Sequence, residues 1–243
     1  MSLAGGQRVR VAAVGDLHAH AGPPGAFRGL MDEMSARADV AVLCGDLTNT
    51  GTVAEAEALA ADLAALRIPA VAVLGNHDHH SDKGAEVDAI LRRANVLMLG
   101  DETFQLGGVG FAGVKGFGGG FGTHMLGAFG EEMTKLFVKE AVNEALRLEN
   151  ALHALGPVGR SVVVMHYSPI AETVVGEPPE IFPFMGCARL AETVDRFEVA
   201  AVFHGHAHHG TVEGRTGKGV PVYNCCLELL RRRIGAGFIV VEV

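Results

Sequence analysis

The sequence predicts an α/β fold, a four-layer sandwich in which two central β-sheets are flanked by helices. Short apolar runs alternate with helix-like segments in the first third of the chain, and further strand-like runs follow a long amphipathic segment. A polar residue stands directly after most of these runs. Alternating strands and helices form parallel sheets with right-handed crossovers, and such sheets bind ligands at the carboxyl ends of their strands.

The first three predicted strands all end in a metal-binding type of side chain. Residues 9–14, 40–44 and 71–74 are apolar and lead into Asp16, Asp46 and Asn76. Between the second and third strands, the alanine- and leucine-rich segment 54–66 follows Thr52, with Glu55 at the spacing of a helix capping box. The order β-α-β-α-β therefore brings the three polar ends to one edge of a sheet.

The remainder predicts a second sheet with its own helix. An extended stretch at 104–115 precedes a glycine-rich loop at 116–130, and an amphipathic helix is predicted at about 131–155. Strands at 161–165 and 199–203 deliver His166 and the pair His206 and His208. We expect 220–225 and 238–243 to close this second sheet, with the arginines at 231–233 on a strand at a solvated edge. No internal boundary or repeat is visible, so a single domain over residues 1–243 is expected.

Composition limits the partners. With 243 residues, 49% of them hydrophobic, the chain can bury a substantial core. Its net charge of −8 gives no general attraction for nucleic acid, which favours a small-molecule substrate. The four cysteines have neither zinc-site spacing nor the density of a secreted disulfide scaffold. No signal-like start and no run of about 20 apolar residues is present, so we expect a cytoplasmic protein without a membrane segment.

Five predicted strand ends carry candidate metal ligands, and their coincidence is more informative than any one of them. A lone histidine or a single aspartate after a strand is common in structural roles. The segments are Asp16-Leu17-His18, Gly45-Asp46, Gly75-Asn76-His77-Asp78, His166 and Gly205-His206-Ala207-His208. In content and order they resemble the five-block signature of the calcineurin-like metallophosphoesterases.

The resemblance implies a dinuclear metal centre within one calcineurin-like phosphoesterase domain. It implies that Asp16, His18, Asp46 and His208 bind one ion and that Asp46, Asn76, His166 and His206 bind the other, with Asp46 as the bridge. The ions would be divalent or mixed-valence transition metals, with manganese, iron and zinc as candidates, because the ligands mix oxygen and nitrogen.

The activity implied is hydrolysis of a phosphate ester by in-line attack of a metal-bridging hydroxide. The resemblance makes His77 the catalytic residue, which donates a proton to the leaving oxygen or stabilises the phosphoryl group. Many relatives have an aspartate at the position of Asn49, where it pairs with this histidine, so Asn49 is expected to weaken His77 as an acid. Thr50 replaces the phosphate-clamping arginine of the protein phosphatases, which disfavours that class.

A small-molecule phosphodiester is the expected substrate, with cyclic nucleotides among the candidates. Two alternatives remain: a DNA nuclease of the same superfamily, and a non-catalytic scaffold with the same fold. Five further histidines, at positions 20, 79, 80, 204 and 209, are expected behind the ligands or on the surface, and His20 could reach a phosphate. The loops at 117–130 and 173–186 are candidate substrate walls.

Overall fold

A computed structural model describes residues 8–243, and the opening segment, where we expected no export signal, lies outside the described residues. Within the described range the strands are β1 (Arg10–Val14), β2 (Val40–Cys44), β3 (Ala70–Val73), β4 (Val96–Met98), β5 (Phe104–Leu106), β6 (Val109–Val114), β7 (Arg160–Met165), β8 (Val199–His204), β9 (Glu213–Arg215), β10 (Pro221–Asn224) and β11 (Ile239–Glu242). The helices are α1 (Arg28–Arg37), α2 (Val53–Leu63), α3 (Gly84–Arg93), α4 (Glu132–Ala154), α5 (Phe182–Met185), α6 (Ala188–Val194) and α7 (Leu227–Ile234).

The strands form two mixed sheets, as predicted. The first has the order β11-β1-β2-β3-β4 and the second β5-β6-β7-β8-β10-β9. In the first sheet β1 to β4 are parallel, and in the second β6, β7, β8 and β10 are parallel. The antiparallel strands β11, β5 and β9 pair at the edges. The carboxyl ends of the parallel strands carry the candidate ligands.

Alternating side chains divide the core into the layers of the predicted sandwich. Ala12 and Val14 face α1, α2 and α3, whereas Val11 and Ala13 face the second sheet. On the far side of the second sheet, α4 and α6 cover residues such as Val163. Successive side chains of a strand point to opposite faces of the sheet. Because both faces of these sheets are buried, apolar residues are needed at every position of the strand, which explains the continuous apolar runs.

The predicted capping box begins α2 and also fixes the loop before it. The hydroxyl of Thr52 accepts a hydrogen bond from the backbone amide of Glu55, and the Glu55 carboxylate accepts one from the backbone amide of Thr52. The same carboxylate accepts the amide and hydroxyl of Thr50. The loop that follows Asp46 is therefore attached to the first turn of α2.

Two predictions about the end of the chain were wrong. The segment 238–243 contributes β11, which pairs antiparallel with β1 in the first sheet and not with the second. Arg231, Arg232 and Arg233 lie in helix α7, not on a strand. The amphipathic segment 227–234 buries three leucines on one helical face, and Arg232 donates a hydrogen bond to the carbonyl oxygen of His208 at 2.5 Å.

The amino end of α4 differs from its expected apolar face. Met133 and Leu136 are exposed, whereas Leu148 and Leu152 are buried. Only the later turns of α4 cover the second sheet. Among residues 8–243, no helix combines the length and apolar character needed to cross a bilayer.

Candidate metal centre

The five predicted strand ends converge, with the oxygen donors following strands of the first sheet. Asp16, Asp46 and Asn76 follow β1, β2 and β3. His166 follows β7, and the histidines at 206 and 208 follow β8. The amide of Asp16 donates to the carbonyl of Gly45, and the amide of His206 donates to both carboxylate oxygens of Asp16 at 3.0 Å. The bond from the His206 amide to the Asp16 side chain thus joins the ends of the two sheets.

Four of the candidate ligands have left-handed backbone conformations that side-chain-bearing residues rarely adopt. Their φ angles are 55° for Asp16, 45° for His18, 48° for Asp46 and 71° for His206. Such conformations are costly and persist where the surrounding structure determines them, which happens most often at functional sites. The concentration of strain at these positions marks the site independently of the residue types.

Three glycines provide the space that the ligands occupy. A Cβ atom on Gly75 would collide with the carboxylate and backbone nitrogen of Asp46, and one on Gly205 would collide with the carboxylate of Asp16. A Cβ on Gly45 would meet the ring of His166 at 2.6 Å, and its φ of +81° also favours glycine. The sequence requires glycine here because the ligand side chains pack directly against these backbones.

Asp16, which is buried, and His208, which is partly exposed, belong to the first ligand group. Nε2 of His208 lies 3.2 Å from Oδ1 of Asp16, and Nδ1 lies 3.4 Å from a carboxylate oxygen of Glu228. Hydrogen bonding to Asp16 and Cys226 raises the pKa of His208 to about 11. A carboxylate behind an imidazole is the common arrangement for a histidine that binds a metal.

His18 provides the test of whether a metal fits this donor set. Both of its ring nitrogens are buried and have no hydrogen-bond partner among the described residues. Its Nε2 lies 4.0 Å from Oδ2 of Asp46, and burial lowers its pKa. Buried polar atoms are nearly always paired, so a neutral imidazole left in this way fits a metal ligand.

His166, Asp46 and Asn76 form the second group. Nε2 of His166 lies 2.9 Å from Oδ1 of Asn76 and 3.3 Å from Oδ1 of Asp46. Its Nδ1 lies 2.9 Å from the carbonyl oxygen of Cys44, which can only accept, so Nε2 is the nitrogen that faces the group. Burial would lower the pKa of His166, but Asp46 raises it to about 9. Burial would raise the pKa of Asp46, but His166 holds it well below its usual value.

His206 completes the second group. One ligand atom from each of Asp46, His166 and His206 lies within 4.8 Å of the others. Nε2 of His206 lies 3.1 Å from the carbonyl oxygen of Phe184, and its ring packs 4.5 Å from that of Tyr167. Burial and the charge on His166 lower the pKa of His206 to about 3. The residue is therefore neutral at pH 7, as a histidine that binds a metal must be.

His77 adjoins the first group, because one ring nitrogen of His77, one of His18 and a carboxylate oxygen of Asp46 lie within 4.8 Å of one another. Its Nδ1 lies 2.7 Å from the backbone carbonyl oxygen of Asn49, and its Nε2 lies 4.0 Å from Oδ2 of Asp46. Its side chain is 43% exposed, and its ring packs against that of His18 at 4.6 Å. The Nε2 atom is thus the one available to a bound molecule.

Asp78 has a structural role that the sequence did not indicate. Its buried carboxylate accepts hydrogen bonds from the backbone amides of Leu47, Thr48 and Gly75 and from the hydroxyl of Thr48. These donors belong to the loops that follow β2 and β3, so Asp78 joins the segments that carry Asp46 and Asn76. Its position at the end of the third block, directly after His77, was the available signal.

The additional histidines have different positions. His204 is fully buried, with Nδ1 2.7 Å from the carbonyl of Gly205 and Nε2 2.9 Å from the hydroxyl of Thr173. It therefore supports the loop of His206. His20 is exposed, as is His124 in the glycine-rich loop. His20 lines the same surface pocket as the candidate ligand His18.

A third set of residues extends the site along the second sheet, and of these Lys115 and Phe137 were not expected there from the sequence. Lys115 follows β6, and its ammonium lies 5.0 Å above the ring of Phe117 and 5.2 Å above that of Tyr167. Phe117 packs against Phe137 at 4.8 Å, and Phe137 packs against Phe184 at 5.8 Å. We call Phe117, Phe137 and Phe184 the aromatic wall. Both loops that we expected to line the substrate contribute to it.

Comparisons with known proteins agree with this architecture. The chain resembles the phosphopantetheinyl hydrolase of Mycobacterium tuberculosis with a TM-score of 0.69 and 15% identity, over 97% of this chain and 96% of that one. It resembles the protein TT1561 of Thermus thermophilus with a TM-score of 0.52 and 14% identity, over 97% and 99% of the chains. A putative 5'-nucleotidase of Staphylococcus aureus matches with a TM-score of 0.52 and 15% identity, over 90% of this chain and 48% of that one. These likenesses show the fold.

Sequence comparison identifies the family. No functionally curated protein matches the chain significantly. The family model described as calcineurin-like phosphoesterase matches residues 9–210, a range that contains all five strand ends. The resemblance stated from the motifs is confirmed, and the chain belongs to the calcineurin-like phosphoesterase family.

Proposed function

We propose that the protein is a dinuclear metal-dependent hydrolase of small-molecule phosphodiesters. The observation that carries this proposal is the meeting of two ligand groups at one carboxylate. Asp46 lies 3.3 Å from His166 through Oδ1 and 4.0 Å from His18 through Oδ2, so its two oxygens face different groups. A carboxylate with this arrangement suits a bridge between two ions.

The residues would divide as the family pattern implies. Asp16, His18, Asp46 and His208 would hold one ion, and Asp46, Asn76, His166 and His206 the other. When bound, such a pair of ions lowers the pKa of a water molecule, orients it for in-line attack and offsets charge on the phosphoryl oxygens. Glu228 and the carbonyl of Cys44 orient His208 and His166 for this role.

His77 would act on the leaving group. The Asn49 carbonyl accepts a hydrogen bond from the Nδ1–H group of His77, which leaves Nε2 to hold or donate a proton at the ester oxygen. The ring stays next to the site because it packs against His18. Attack on a phosphodiester expels an alkoxide as the leaving group. A positioned general acid stabilises this oxygen by protonating it, so that an alcohol is released.

A small substrate is supported by charge and by the shape of the site. The net charge of −8 does not attract a polyanion, and the aromatic wall beside His206 offers an apolar surface for an ester substituent. A structurally similar protein is named a phosphopantetheinyl hydrolase, so a phosphopantetheinyl ester belongs among the first substrates to test. Cyclic nucleotides belong there as well.

The test is a substrate panel with metal analysis. Purified protein is loaded separately with manganese, zinc or iron and assayed on bis(p-nitrophenyl) phosphate, p-nitrophenyl phosphate, cyclic AMP, a phosphopantetheinyl ester and DNA. We expect two ions per chain and fastest turnover of a small diester. Asp46→Asn should lower activity at least about a hundredfold and reduce bound metal, whereas the exposed Asp82→Asn should change neither.

Two outcomes would overturn the proposal. Faster cleavage of DNA than of every small diester would favour the nuclease alternative. Protein that binds no metal and hydrolyses none of the esters would favour the scaffold alternative.

A further inference from the structure

A sixth strand end reaches the first ligand group. Strand β10 runs parallel to β8, so its carboxyl end opens at the same edge of the second sheet. The residues that follow it are Cys225 and Cys226. The amide of Gly15 donates to the carbonyl of Cys225 at 2.8 Å, and the amide of Leu227 donates to the carbonyl of Gly15 at 3.0 Å. The two cysteines are thereby fixed beside the residue that precedes Asp16.

The adjacent cysteines have different surroundings. Cys225 belongs to the apolar core between the two sheets, together with Cys44. Cys226 is also fully buried, but its sulfur belongs to a group with a carboxylate oxygen of Asp16 and a ring nitrogen of His208, all within 4.8 Å of one another. One ion with bonds of about 2.0–2.3 Å can span such a group after small side-chain rotations.

Helix α7 adds two features that suit a metal-bound thiolate. Cys226 is the residue immediately before α7, where the helix dipole favours a negative charge. Glu228, in the first turn of the same helix, lies 3.4 Å from Nδ1 of His208. The beginning of α7 therefore orients one ligand of the group and presents the sulfur of another.

We propose that Cys226 is an additional ligand of the ion held by Asp16, His18, Asp46 and His208, an inference that rests on the proposed two-metal assignment. Coordination forms a metal–sulfur bond, and the thiol proton passes to solvent. Because thiolate is a soft ligand, this position would prefer zinc, iron or cobalt to manganese or magnesium. The second position has only oxygen and nitrogen donors, so the two sites would differ in metal preference.

The test observes the sulfur directly and does not depend on activity. The protein is loaded with two equivalents of cobalt(II), and the near-ultraviolet spectrum is recorded for the thiolate-to-cobalt charge-transfer band. X-ray absorption of the zinc-loaded protein should show a sulfur neighbour at about 2.3 Å. We expect both signals in the unaltered protein, loss of both in Cys226→Ser, and retention of both in the matched variant Cys225→Ser.

The results distinguish a failure of this inference alone from a failure of the proposed function. Two bound ions and ester hydrolysis, with only oxygen and nitrogen neighbours in the absorption spectrum, would overturn the role of Cys226 and leave the hydrolase intact. Persistence of the band in folded Cys226→Ser would assign it to another thiol and overturn the inference as well. Protein that binds no metal would overturn both. The spectrum of the unaltered protein decides the question even if Cys226→Ser does not fold.

Discussion

The imidazole of His77 and the backbone carbonyl of Asn49 are joined by a hydrogen bond of 2.7 Å through Nδ1. The sequence suggested that asparagine in place of aspartate at position 49 weakens His77. The partner in the structure is the main chain, which any residue type at that position provides. The pairing that orients His77 therefore does not depend on the side chain of Asn49.

We predict that Asn49→Ala keeps kcat within a few-fold of the unaltered protein, because the carbonyl remains. His77→Ala should lower kcat by about 10²–10⁴-fold, the usual contribution of a general acid. Both are measured with bis(p-nitrophenyl) phosphate at saturating metal. Equal losses in the two variants would show that the Asn49 side chain is required.

Gly75→Ala should lower kcat about a hundredfold and reduce the metal bound per chain. The new methyl group would collide with the Asp46 carboxylate, and a displacement of about 1 Å in a catalytic group costs about a hundredfold in rate. Metal content per chain and kcat are the measurements. Gly29→Ala is the control, since a Cβ there meets no atom within 4 Å and should leave kcat unchanged. Normal metal content and kcat in Gly75→Ala would contradict the contact.

Asp78→Ala should lower the free energy of unfolding by about 2–5 kcal/mol. It leaves three amides and a hydroxyl without their acceptor in a buried place, and each unpaired group costs about 1–3 kcal/mol before relaxation. Urea denaturation measures the change. Asp101→Ala, at an exposed position, should stay within about 0.5 kcal/mol. A similar small change in Asp78→Ala would mean that the two loops hold together without it.

Phe184→Ala should raise KM for bis(p-nitrophenyl) phosphate about three- to tenfold, the contribution of an aromatic contact, with bound metal unchanged. The ring is 57% exposed, and its backbone carbonyl contacts His206, so a substrate held at the metals can reach it. Leu146→Ala is the control, because Leu146 is similarly exposed on α4 at 51% but lies outside the aromatic wall. Equal KM values in all three proteins would remove the wall from the substrate site.

Metal binding should release protons at pH 7. The pKa of His166, raised to about 9, and that of His208, raised to about 11, keep both residues protonated in the metal-free protein. A histidine ligand must be neutral, so each loses its proton on binding, and metal affinity should rise with pH up to about 11, the higher of the two pKa values. His206, with a pKa of about 3, is already neutral and releases nothing. Calorimetry in buffers of different ionisation enthalpy measures the release, and heats that are independent of the buffer would contradict it.

The sequence was sufficient for the fold class because strands buried on both faces are continuous apolar runs and because the capping box begins α2. It was not sufficient for β11. A short apolar strand at the end of the chain pairs with either sheet equally well on sequence grounds, and the choice of β1 as its partner is a tertiary contact. The apolar residues of α7 recur with the period of a helix. The segment was assigned to a strand because this period was not recognised in the sequence.

For the site, the sequence placed the candidate ligands at strand ends, and the structure brings those ends together. Their roles as ligands stay predictions. The contacts that orient the histidines could not be predicted. They are made by the backbone carbonyl oxygens of Cys44, Asn49 and Phe184, which every residue type provides. Cys226 and Lys115 had a readable signal, since each follows a strand of the same parallel set.

The candidate ligands come from both sheets, and between those sheets lies a core of apolar side chains that includes Phe111 and Phe203. Ions held by Asp46 together with His166 or His208 would therefore act as cross-links at one end of this core. Removal of the ions by a chelator should then abolish activity and should also let the two sheets separate more easily at that end. Faster amide exchange in β2 and β7 together, after metal removal, would be the signature of this mechanical role.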